Sequence, residues 1–202
     1  MVRLNELALY FESKPIVLFF IPFVIYFSNG REIGSGDQIS SIMVAIHVSA
    51  HGTIYLDNLK DFIDYNKLPY FVSEKKGHIV SNYPLLPGIM AVPLIAPAYY
   101  LGFIREGEGD LTWRYVSKIC GSIYTAISVV LLFYTIRMIL SPVSALILSF
   151  SYGFGTALWP IASQSLWQHV PALFWISISI YALFKSFQKQ QFAPPPSNIY
   201  CS

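Results

Sequence analysis

From Ile119 to Ile136 the chain runs without one charged side chain. A helix over this stretch is close to the roughly 20 residues that cross a bilayer's hydrocarbon layer. Four more apolar segments share the character: Pro15 to Ser28, Leu85 to Ile104, Val143 to Trp159 and Val170 to Phe184. Only 12% of the 202 residues are charged, and the mean hydropathy is +0.52. That is too little polar surface to keep a soluble domain of this size in water. The expected fold is therefore an all-α membrane protein with about five transmembrane helices, its membrane domain covering residues 1–185.

The segments are not equally simple. The first is short, and the amphipathic lead "LNELALYFE" or a thinned bilayer is expected to make up its length. Ser28-Asn29-Gly30-Arg31 follows it in place of a small-residue cleavage site, so it reads as an uncleaved helix. The second carries Pro87, Pro93 and Pro97, which membrane helices tolerate where neighbours satisfy the freed carbonyls. In the fourth, Gly153 and Gly155 permit close helix contact. Tyr99, Tyr100, Trp113, Trp159, Trp167 and Tyr181 lie near segment ends, as interfacial aromatic residues do.

Residues 29–84 form the large polar region and are expected to be the first outer loop. Arg3 and Lys14 favour an inside N-terminus, and Arg105, Arg114 and Lys118 an inside second loop. Within the outer loop, Ile39, Ile42, Met43, Ile46 and Ala50 recur at helical spacing. This predicts an interfacial helix over 38–50, stopped by Gly52. A second amphipathic stretch carries Leu56, Leu59, Phe62 and Ile63. "YFVSEKKGHIVSNYP" predicts a short hairpin turning at Glu74 to Gly77. Residues 186–202 form a polar tail with three consecutive prolines, expected to be disordered or to lead into a longer chain. Cys120 and Cys201 make no disulfide framework, and a net charge of +2 without a basic stripe excludes a nucleic-acid partner. The oligomeric state is not legible.

Three polar clusters can carry chemistry. Asp37 follows the glycine-rich "NGREIGSGD" and precedes the predicted helix. It can cap that helix, or take a proton from a hydroxyl presented at headgroup depth. In "KKGHIVSNYP", Lys75 and Lys76 suit a lipid phosphate, with His78, Ser81 and Tyr83 beside them. In "SQSLWQHVP", Gln168 and His169 stand between two apolar segments, though five simple crossings put them on the side opposite Asp37. His47 and His51, four residues apart, lack the intervening glutamate of a metalloprotease helix and read as a surface pair, so no residue is assigned to a metal. Charged groups are nearly absent from the spans, which argues against a transporter or proton relay.

The order of these parts resembles the N-terminal part of a polytopic glycosyltransferase of the GT-C class, the phospholipid-carrier-dependent, mannosyltransferase-like group. The likeness rests on "GSGD" after the first helix, "GHIVSNYPLLPGIMAVPL" and "ASQSLWQHVPALF". The resemblance implies inverting transfer of a sugar from a polyprenyl-phosphate carrier to an acceptor hydroxyl, at the outer face of a prokaryotic plasma membrane. Asp37 then matches the first-loop aspartate that acts as catalytic base or binds the acceptor. Arg31, Lys75, Lys76, His78, Ser81, Tyr83, Gln168 and His169 become the expected substrate-binding set. No cofactor is assigned, and dependence on a divalent cation is left open. The alternative is a non-catalytic multi-pass membrane protein that binds a lipid carrier or a partner subunit.

Overall fold

A computed structural model describes residues 2–31, 33–58, 68–106 and 110–191. The described residues are mainly helical. Helices α1 (Val2–Ser13) and α2 (Pro15–Ser28) meet at Lys14, where Pro15 opens α2 at its first position. Then come α3 (Gly36–His51), a hairpin of β1 (Val72–Lys75) and β2 (His78–Ser81), and α4 (Leu86–Tyr100). The chain continues through α5 (Asp110–Arg137), α6 (Pro142–Gly155), a 3-10 turn at Ala162–Gln164, and α7 (His169–Gln191).

Helix α5 is central and packs against α2, α3, α6 and α7. At one end Arg137 Nε lies 2.9 Å from Glu12 Oε2, and the Tyr134 hydroxyl donates to the Glu12 carbonyl. Toward the other end, Lys118 of α5 donates to Asn29 Oδ1 at 2.8 Å. Gly153 lets α6 close on α2: a Cβ there would stand 2.9 Å from the Tyr26 hydroxyl, which donates to the Gly153 carbonyl. Gly155 has open space around it and plays no such part.

Among the described residues, two helices, Thr112–Arg137 and His169–Lys189, are long and apolar enough to cross a membrane. A third candidate exists if Arg3–Ser13 and Pro15–Ser28 count as one bent span. Five crossings are therefore not what the helix lengths support. Leu86–Tyr100 and Pro142–Gly155 are apolar but shorter. At about 1.5 Å per residue, each covers only about three quarters of a 30 Å layer. Nor does the N-terminal lead lengthen α2 in line, because the two helices are bent by 97°. Ile16, Phe20 and Val24 of α2, Ile147 of α6, and Trp175, Ile176 and Leu183 of α7 are all exposed. Contiguous apolar faces of this kind require an apolar surrounding or a partner.

The predicted helix over 38–50 is present as α3, and Gly52 ends it at φ 68° with its N–H on the Val48 carbonyl. It does not lie with one face free, however. Gln38 and every residue from Ser40 to His47 are buried, among α4, α5 and the hairpin. Gly88 makes the α3–α4 approach possible, since a Cβ there would meet the Ser41 carbonyl at 2.8 Å. The hairpin turns one residue later than expected. Lys75 pairs with His78, and Lys76 and Gly77 take φ values of 53° and 82°. Two positive-φ residues form the type I′ turn that matches strand twist. Leu56 is buried in the core; Leu59, Phe62 and Ile63 lie outside the described residues. Helix α7 runs to Gln191, so the beginning of the expected tail is helical.

Candidate functional site

The site is built on the first turn of α3. Ser35, in extended backbone, occupies the cap position; Asp37 sits inside the helix, so it is not the cap. The Ser35 hydroxyl donates to Asp37 Oδ1, and the Gln38 N–H reaches the same oxygen at 3.1 Å. Both contacts fall on Oδ1 of a half-buried carboxylate, and among the described residues none engages Oδ2. The helix N-terminus favours the negative charge. Ser40 and Ser41 donate to the Asp37 carbonyl at 3.1 and 2.8 Å, tightening the turn.

Residues distant in sequence close around it. The Gly36 N–H donates to the Tyr70 hydroxyl at 2.9 Å, and a Cβ on Gly36 would lie 2.6 Å from that side chain. The Ser81 hydroxyl donates to Ser40 Oγ at 3.0 Å and accepts from the Tyr83 N–H at 3.0 Å. Burial, together with Tyr70 and Asp37, pushes the Tyr83 phenol above its ordinary value. Asp37, Ser81 and Tyr83 are thus gathered at one place.

A buried polar layer supports them from below. Ser165 donates to Gln38 Oε1, and Ser117 of α5 accepts the Leu166 N–H at 2.8 Å. Ser122 donates to the Ser163 carbonyl at 2.9 Å. Gly121 admits this contact, because a Cβ there would meet the Ser165 carbonyl at 2.8 Å. The segment between α6 and α7 therefore meets the first turn of α3 rather than facing away from it. Lys118 is buried on the same helix, donating to Asn29 and to the Arg31 carbonyl. A Cβ on Gly34 would stand 2.5 Å from the Arg114 guanidinium. Arg114 and Lys118 thus pack against residues 29–34, the beginning of the polar region expected to be the outer loop. Sequence reasoning missed Gln38, Ser117, Lys118 and Ser165. One signal was available: Ser117, Gly121, Thr125 and Ser128 recur at helical spacing along a largely apolar stretch.

The other expected binding residues lie apart. Arg31 is exposed and lines a cavity of about 290 Å³ with Asn29, Trp159 and Pro160. Lys75 and Lys76 are exposed at the hairpin tip, three residues along the strand from Ser81, or about 10 Å. His78 is engaged locally, its Nδ1 2.7 Å from Asp57 Oδ2 and its ring stacked on Tyr55. Gln168 is exposed. His169 opens α7 and lines an apolar cavity of about 500 Å³ with Tyr152, Leu158, Trp167 and Leu173. The expected surface histidine pair is not one either: His51 is exposed, but His47 is buried.

Comparison with protein-family models, curated proteins and solved structures finds no match to this chain.

Proposed function

We propose that the chain is a multi-pass membrane protein acting at headgroup depth on a polyprenyl-phosphate-linked sugar, as a glycosyltransferase or its first-loop-bearing part. The observation that carries this reading is Asp37: one carboxylate oxygen held by Ser35 and Gln38, the other available, on a rigid helix start. A carboxylate so placed can remove the proton from an acceptor hydroxyl. The freed oxygen attacks the anomeric carbon, the carbon–oxygen bond to phosphate breaks, and the carrier phosphate leaves with the bonding electrons. The product is the inverted glycoside. The exposed Arg31 guanidinium supplies charge for the departing phosphate. The membrane setting rests on the two or three long apolar helices and on the apolar outer faces of α2, α6 and α7; a prokaryotic plasma membrane is the setting proposed.

Binding of a lipid carrier without turnover is the second reading. The apolar cavity at Leu158, Trp167 and His169 favours it, since Ala162 joins that cavity to the Ser163–Ser165 stretch beneath Asp37. Reconstitution in liposomes with a polyprenyl-phosphate sugar and acceptor alcohols separates the two. Turnover lost in Asp37→Asn supports the transferase. Saturable binding without turnover supports the binder, and no binding to either form rejects both.

A further inference from the structure

His47 and His51 share one face of the last turns of α3, four residues apart. Their rings are 5.4 Å apart and tilted by 55°. His47 is 1% exposed, and among the described residues neither of its ring nitrogens has a hydrogen-bond partner. Burying an imidazole with both nitrogens unpaired is unfavourable, so the arrangement calls for a group that would satisfy one of them. The chain after α4 brings Glu106 to the same place, its Oε1 2.7 Å from His51 Nε2. That connection is pinned on both sides of Gly102. The Tyr100 hydroxyl donates to the Ser49 carbonyl at 2.8 Å, and Ile104 is buried in the core. One ligand atom from each of His47, His51 and Glu106 lies within 4.8 Å of the others.

We infer that His47, His51 and Glu106 form a divalent transition-metal site, with zinc the ion best matched to it. Two imidazoles and one carboxylate are a zinc ligand set that leaves a fourth position for water or substrate. His51 and Glu106 are part-exposed, with side-chain exposures of 36% and 23%, so that position opens outward while His47 closes the inner side. Zinc–nitrogen bonds near 2.0–2.1 Å place tetrahedral ligand atoms roughly 3.3 Å apart. Binding therefore requires side-chain rotation that draws the three inward to that spacing, with the ion replacing the His51–Glu106 contact. The site ties the end of α3 to the connection between α4 and α5, and it does not depend on the transferase reading.

The test is zinc titration of the purified full chain in detergent after chelator stripping, in competition with a chromophoric chelator. Cobalt absorption serves as the second readout. One zinc per chain is expected, with cobalt bands of a four-coordinate site. His51→Gln and Glu106→Gln should each weaken binding by at least about tenfold, a loss that even outer-shell changes produce. Both residues are part-exposed, so the variants are expected to fold. Retained helicity in the stripped proteins checks this, and zinc should raise the unfolding temperature of the parent chain but not of Glu106→Gln. Failure to take up one ion, or uptake unchanged in both variants, would overturn the site.

Discussion

The buried ammonium of Lys118 donates to Asn29 Oδ1 at 2.8 Å and to the Arg31 carbonyl, fastening the centre of the helix bundle to the chain that leads into Asp37. A charge buried in this way leaves its acceptors unsatisfied when it is removed. Lys118→Met should lower stability by roughly 2–4 kcal/mol. It should also loosen residues 29–36, seen as faster proteolysis or hydrogen exchange there. Unchanged stability and exchange would mean that the contact is incidental.

Gly121 and Gly155 make a matched pair. A Cβ at Gly121 would press on two backbone carbonyls, those of Ser165 and Ala162, at 2.8 and 3.2 Å. Gly121→Ala is expected to cost roughly 1–3 kcal/mol, because backbone yields less readily than a side chain. Gly155→Ala meets nothing within 4 Å and should be close to neutral. Thermal or denaturant unfolding of the two variants side by side measures the difference.

Asp37→Asn keeps the shape of the side chain and its contact with the Gln38 N–H but removes the carboxylate proposed as the base. Loss of general-base catalysis should reduce transfer by about 10²–10⁴-fold, with little change in unfolding temperature or carrier binding. A variant that turns over at the parent rate removes Asp37 from the chemistry.

Lys75 and Lys76 stand about 10 Å along the hairpin from Ser81. On the transferase proposed above, replacing both with Ala should weaken capture of the anionic lipid substrate, raising KM, while kcat stays nearly constant. Arg31→Ala should lower kcat as well. Measuring the two parameters separately for each variant decides which cations act on the leaving phosphate; a fall in kcat on the lysine change would place the hairpin tip at the reacting bond.

Much of the local structure was legible in the amino-acid order. The apolar spacing of Ile39, Ile42 and Ile46 with Gly52 behind it predicts α3 and its end, since helix period and left-handed caps are local properties. "YFVSEKKGHIVSNYP" predicts the hairpin to within one residue of its turn, and the run from Ile119 to Ile136 predicts the central helix. Asp37 stands out because a carboxylate follows a glycine-rich exit from an apolar segment. Tertiary structure decided which of these meet. That Lys118 turns inward to Asn29, that Ser165 reaches Gln38, and that Glu106 joins His47 and His51 are contacts between residues more than 50 positions apart. Side-chain periodicity says which face of a helix is apolar. It does not say which distant polar group will satisfy a donor left inside, and that pairing is made only when the helices pack.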